Sequence, residues 1–269
     1  MNLAIQDSSK CLYYKAKAFD WNKAVLVTIT DASWAGEKLV VEDRVFPRRS
    51  QEGRITALAD PAIWDGKSCN FHVIGWKSKL ITRTCRSTMC AETMSMCTGT
   101  GVGIKMRTAI AEMRGLRDDE NRSESCAKAM NHVWLTDCES LHSFLINPVA
   151  APVEDKRLEI DLLDLRQLLW EDHHGKHKDS IDEDQTERVF WIDTSTMLAD
   201  PLTKAMKSER LDTALQTCFL DLEPTAESQI AKMMKQKARR EKKVDFAVVD
   251  HIFVTIRQFH QVSLQHRIV

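Results

Sequence analysis

The chain of 269 residues is long enough for one large or two small domains. Its 43% hydrophobic and 29% charged residues mark a folded rather than a disordered sequence, and a net charge of -1 leaves any nucleic-acid binding to local patches. Eight cysteines without a CxxC pair read as reduced thiols, and with neither a signal peptide nor a run of about 20 apolar residues the expected setting is intracellular.

Residues 1–21 show weak helical patterning and no motif. Residues 24–30 (AVLVTIT) are nearly all apolar or β-branched and read as a central strand buried on both faces. Asp31 ends that run. Trp34, Ala35 and Gly36 follow as an aromatic anchor and a turn. Residues 37–47 read as a loop or an extended hairpin. Residues 53–59 and 68–76 alternate loosely and read as the second and third strands of an antiparallel meander. A polar connection leads to a helix over 87–114, capped by Ser87 or Thr88, with Glu92 one turn in. This helix contains TGTGVG at 98–103. A dinucleotide fingerprint needs a strand directly before it, whereas here a helix already runs, so the glycines read as a close-packing face. Three glycines at about 1 kcal/mol each predict a kink or break there.

Residues 117–128 are charged and loop-like. A short strand over 132–136 (HVWLT) is followed by Asp137, and a short helix over 140–145 by Asn147 and Pro148. Residues 153–170 place Leu158, Leu162, Leu165 and Leu169 at helical spacing. The loop 171–184 carries His173, His174 and His177, which read as solvated rather than metal-binding. Residues 187–192 form the predicted fifth strand. The last predicted helix runs over 201–215, with Pro201 at its first position and Asp200 as N-cap. Residues 228–243 are basic and helix-prone, either a solvated face or a nucleic-acid or localisation patch.

Asp31, Glu92, Asp137 and Asp200 thus sit at strand ends and helix starts. Taken singly, each is an ordinary cap or surface charge. Taken together, three aspartates and a glutamate form a plausible metal cage for phosphodiester hydrolysis.

On these motifs the sequence resembles the RNase H domain of copia-type (LTR) retrotransposon Pol polyproteins. The family strings run roughly DADWAG, RxSTSG, WSSKKQxTVALSSTEAEY, a DN-type aspartate, and ADxLTKPL. Here they read DASWAG, RRSQEG, WKSKLITRTCRSTMCAET, TDCES and ADPLTKAM, in the same order. The stretch from Trp76 to Glu92 aligns without a gap, and ADPLTK is the most specific match. The resemblance covers roughly residues 25–206. Lys156, Ile160 and Arg166 match a further family segment, in which Arg157 replaces a histidine. The loop 193–197 lacks the histidine that many RNase H domains carry there, so no such role is assigned.

The resemblance implies an α/β fold of RNase H-like type: a mixed five-stranded sheet, three strands antiparallel and two parallel, with helices on both faces. It implies a connection segment at 1–21, the RNase H-like domain at 22–215 and a divergent basic tail at 216–269. It implies two Mg²⁺ ions, with Mn²⁺ as a substitute, held by the catalytic residues Asp31, Glu92, Asp137 and Asp200. The implied substrate is the RNA strand of an RNA–DNA hybrid, with Trp76, Lys77, Lys79, Arg83 and Arg86 facing its phosphates. A reverse transcriptase domain on the same polyprotein is the implied partner, since no polymerase YxDD string occurs here, and the implied location is cytoplasm, nucleus or a virus-like particle. The competing readings are an inactive or domesticated remnant that binds nucleic acid, and a purely structural module.

Overall fold

The computed structural model describes residues 12–41, 44–116, 122–149, 152–171, 176–180 and 185–234. A first compact unit spans Met1–Glu223 and a second Pro224–Val269. In the first unit, β1 (Val25–Val41), β2 (Arg44–Ala59) and β3 (Cys69–Leu80) form the antiparallel meander. Helix α1 (Thr88–Met113) and the short α2 (Arg122–Ala129) follow. β4 (His132–Thr136), α3 (Glu139–Ile146), α4 (Lys156–Trp170) and β5 (Glu187–Trp191) complete the parallel part. The chain closes with α5 (Asp200–Thr203), α6 (Glu209–Thr217) and β6 (Phe219–Leu220).

The strands lie in the order β5-β4-β1-β2-β3-β6. β4 and β5 run parallel to β1, while β2 and β3 form the antiparallel side. This is the mixed sheet of an RNase H-like α/β fold, with a correction: it has six strands, not five. The sixth is two residues long and pairs with Cys69 and Asn70 at the start of β3, too short to leave a periodicity signal.

Strand alternation sorts the core. On one face Val25, Val27 and Ile29 pack with Ile55, Val133, Met197, Leu198 and Ala214. On the other, Leu26 packs with Ile110 and Ala111 of α1. The leucines of α4 join Met96 and Trp134 in a third cluster. Fully buried side chains such as Leu26, Val27 and Ile29 each contribute roughly 1.5–3 kcal/mol.

Helix α1 runs unbroken through its glycines, contrary to the expected break. A Cβ on Gly99 would lie 2.6 Å from Thr30 Cγ2, and one on Gly103 would lie 2.2 Å from His132 Cε1. These two glycines let the helix backbone rest directly on β1 and β4, and that packing offsets their poor propensity. Two other expectations need correction. The stretch read as a loop contains α2. The last helix is two helices, with Ala199 rather than Asp200 at the N-cap and Asp200 as the first helical residue of α5.

Of the stretch 37–47, residues 37–41 and 44–47 extend the paired strands β1 and β2, and 42–43 lie outside the described residues. All seven described cysteines are free thiols. Among the described residues no helix is long and apolar enough to cross a membrane. His173, His174 and the tail beyond 234 lie outside the described residues. The described part of the second unit, 224–234, is helical from 226 onward.

Candidate active site

The sheet register brings Asp31 and Asp137 together. Ile29 of β1 pairs with Leu135 of β4 in parallel, and each aspartate lies two residues further along its chain. Asp200 reaches them from the first turn of α5. Ligand oxygens of Asp31, Asp137 and Asp200 all lie within 4.8 Å of one another. Glu92, on the second turn of α1, lines the same cleft as Asp31 and Asp137. Ser87 caps α1 by accepting from the Cys90 N–H, which fixes where this turn begins.

Neighbouring contacts hold the elements in this arrangement. Ser95 Oγ, on α1, donates to the Asp31 carbonyl at 2.9 Å and to the Gly53 carbonyl at 3.3 Å. Gly53 stands opposite Asp31 in β2. A Cβ there would lie 2.7 Å from Thr203 Cγ2 and 2.9 Å from Leu202 Cβ, so the glycine makes room for α5. Gln51 Nε2 and Ser78 Oγ donate to the Leu202 carbonyl at 2.8 and 2.6 Å. Trp191 Nε1 donates to the Asp137 carbonyl at 3.0 Å.

The carboxylates are crowded and mostly dry. Asp31, Glu92 and Asp200 are buried. Burial, then the charges of Asp31 and Asp137, push Glu92 well above the usual carboxylate range. Burial and then Asp31 raise Asp137. Asp200 is pushed up to about 6 by burial first, with Lys204 opposing and Asp31 adding to the rise. Lys204 supplies a cation within the group. Its Nζ bonds Asp200 Oδ1 and lies 3.5 Å from Asp31 Oδ1. Burial disfavours its ammonium, but Asp200, Asp31 and Asp137 outweigh that and raise its pKa. Thr203 Oγ1 donates to Asp31 Oδ2.

One lysine leaves most of this negative charge uncompensated. Glu92 Oε2 is buried and has no hydrogen-bond partner, an expensive state for a carboxylate oxygen. An all-oxygen, anionic donor set of this kind suits a hard divalent cation such as Mg²⁺ or Mn²⁺ rather than zinc.

The five residues expected to face substrate do not line this cleft. Trp76 is 58% exposed on β3. Lys79 pairs with the buried Glu52 at 3.3 Å, and Arg83 pairs with Asp161. Arg86, with a side chain 82% exposed, lies 3.9 Å from Asp155. Arg166 of α4 donates to the carbonyls of Phe144, Asn147 and Pro148 at the end of α3, which is a helix-capping task. Sequence reasoning missed Lys204, Trp34 and Cys138 as cleft residues. For Lys204 a signal was available, since it stands one helical turn after Asp200, the spacing that places two side chains on one face.

Three solved structures are similar in fold. The N-terminal RNase H domain of Rv2228c from Mycobacterium tuberculosis, solved as a maltose-binding-protein fusion, is 12% identical, with 72% of this chain and 99% of that one covered and a TM-score of 0.36. LC11-RNase H1, isolated from compost by a metagenomic approach, is 15% identical over 72% and 99%, with a TM-score of 0.35. RNase H1 from the halophilic archaeon Halobacterium salinarum NRC-1 is 12% identical over 70% and 98%, with a TM-score of 0.35. No protein-family model matches the chain, and no curated protein matches it. At such identities and scores the fold rests on the chain's own strand order and directions.

Proposed function

We propose that this chain is a metal-dependent ribonuclease H domain of a copia-type retrotransposon polyprotein, cutting the RNA strand of RNA–DNA hybrids. One observation carries the reading. Asp31, Asp137 and Asp200, from three separate segments of the chain, lie with their oxygens within 4.8 Å of one another, and Glu92, from a fourth, lines the cleft with Asp31 and Asp137. Asp31, Glu92, Asp137 and Asp200 are the residues that would hold the ions and form the catalytic centre. Bound Mg²⁺ would supply an activated water and charge neutralisation at the scissile phosphate.

The protein's own contribution is placement. Asp31 stands at the middle of the group, fixed by Thr203 through its side chain and by Ser95 through its carbonyl. Lys204 faces the cleft and offers an ammonium to a phosphate oxygen. Discrimination for RNA would come from 2′-hydroxyl contacts in the minor groove, with phosphate contacts setting the register. Trp76, Lys77, Lys79, Arg83 and Arg86 remain the proposed outer phosphate-facing residues, and the exposed Arg86 is the freest of the ion-paired ones. In this reading the catalytic domain expected over 22–215 continues through β6 at 219–220, with 1–21 a connection, the remainder up to 269 a basic tail and a reverse transcriptase domain the partner.

A second reading has a specific observation behind it. Lys204 sits between Asp31 and Asp200, where a cation would sit, and residues 193–197 hold no histidine. A remnant that binds hybrids without cutting would have these features. Incubating a hybrid labelled on its RNA strand with the protein, with and without Mg²⁺, separates the two. Mg²⁺-dependent RNA fragments support the enzyme, and binding without fragments supports the remnant.

A further inference from the structure

The cleft has an aromatic wall that the carboxylate chemistry leaves unused. Trp34 lines it beside Asp31, Glu92, Asp137, Cys138 and Lys204, yet the side chain is 47% exposed. A tryptophan three residues beyond a buried strand aspartate would ordinarily turn into the core, where its large apolar area is worth most. Here the backbone holds it out. The β1–β2 register shifts between Ser33 and Glu37. Ala35 adopts a φ of 50°, in the left-handed region that a residue with a Cβ rarely occupies. The Ala35 N–H is held by Ser50 Oγ at 3.3 Å. The indole N–H is held too, donating to the Cys85 carbonyl at 3.0 Å in the connection ahead of α1. With its only donor used internally, the ring offers the cleft an apolar π-face and no hydrogen bond. Strained backbone of this kind, kept by surrounding contacts, clusters at functional sites.

We propose that Trp34 is a substrate-binding residue whose ring packs on the sugar of a nucleotide adjoining the scissile phosphate. This rests on the hybrid-ribonuclease reading above. In a duplex, base faces are occupied by their stacked neighbours, so the apolar surface within reach of a ring at the backbone is the sugar. A rigid ring there fixes the strand's depth over Asp31 and Asp137, while Lys204 meets the charge.

The test uses the full chain and a fluorescently labelled RNA–DNA hybrid, with binding followed by anisotropy without divalent metal over a range of salt concentrations. Trp34→Leu keeps apolar bulk but loses the aromatic face, and it should bind roughly tenfold more weakly, within the range of one lost aromatic stack. The slope of log K against log salt should not change, because no phosphate contact is lost. Trp34→Phe should recover most of the affinity. Trp34→Leu binding like wild type, or losing affinity together with salt slope, would overturn the proposal. If Trp34→Leu does not fold, 5-fluorotryptophan NMR of the wild-type chain decides. The resonance missing from Trp34→Phe should shift when hybrid is added, and an unmoved resonance overturns the proposal. Wild type that cuts hybrid without moving this resonance sinks the Trp34 proposal alone. Wild type that binds no hybrid sinks both this and the ribonuclease reading.

Discussion

Lys204 Nζ lies 3.5 Å from Oδ1 of Asp31 while also bonding Asp200. The lysine therefore holds together, in the metal-free protein, two carboxylates that would otherwise repel. Lys204→Met should destabilise the metal-free protein by about 1–3 kcal/mol, at or below the low end for a broken buried pair because the lysine side chain is 42% exposed. It should also tighten Mg²⁺ binding, since a competing cation is gone. Thermal unfolding with and without Mg²⁺ reads both effects: a lower metal-free Tm and a larger rise on adding Mg²⁺.

The raised carboxyls give a pH dependence with a definite sign. Asp200 is at about 6 in the folded chain against 3.8 as a free side chain, so between those values the folded state binds more protons than the unfolded one. The contribution of Asp200 to the stability of the metal-free protein should therefore fall as pH rises from about 4 to above 6, opposite in sign to that of His72, His132 and His142, whose pKa values burial lowers. Glu92 and Asp137 shift in the same direction as Asp200. Asp200→Asn should flatten part of this slope, and saturating Mg²⁺ at neutral pH should restore the lost stability. Melting temperatures across the range, with and without the ion, check it.

Gly53 should not tolerate a side chain. Its missing Cβ would meet Thr203, Leu202 and the Ala199 carbonyl at 2.7, 2.9 and 3.1 Å, and the last of these is backbone. Gly53→Ala should push α5 off the sheet, cost about 1–3 kcal/mol and weaken Mg²⁺ binding by displacing Asp200. Calorimetric titration of Mg²⁺ beside a denaturant melt measures both.

Away from the cleft, a buried polar network ties α1 to the parallel strands. Arg107 bonds Glu187, and His132 Nδ1 lies 2.9 Å from Glu187 Oε2. Trp134 Nε1 donates to Glu187 Oε2 at 2.9 Å, and His132 Nε2 meets Thr28 Oγ1 at 2.8 Å. Glu187→Gln would leave the buried Arg107 without its counter-charge, so it should cost about 3–5 kcal/mol. Urea unfolding measures this, and Mg²⁺ affinity should stay unchanged in the folded fraction.

The meander and the two parallel strands were legible because their apolar runs are unambiguous and their boundaries carry turn residues. The unbroken course of α1 was not, because propensity counts the glycines against a helix and cannot see Thr28, Thr30 and His132 pressed against them. α2 was hidden by its charge, since a surface helix with a weak apolar stripe looks like a loop. The four acids stood out by their places at strand ends and helix starts and by motif order, and the fold brings Asp31, Asp137 and Asp200 within 4.8 Å of one another. The pairing of Lys79 with Glu52 and of Arg83 with Asp161 was not, because these partners are remote in sequence and meet only through the fold. Those pairs tie up two of the cations expected to face phosphates.

Cleavage by wild type and by Asp137→Asn, measured side by side with hybrid binding, tests the central claim most directly. The substitution keeps the shape and removes one anionic ligand, so metal occupancy and water activation should both suffer. The account predicts that wild type cuts the RNA strand in Mg²⁺. The variant should cut at least about 100-fold more slowly, while hybrid binding persists or tightens as a charge facing the phosphates is lost. Folded wild-type protein that binds Mg²⁺ and the hybrid yet leaves the RNA strand intact would contradict it.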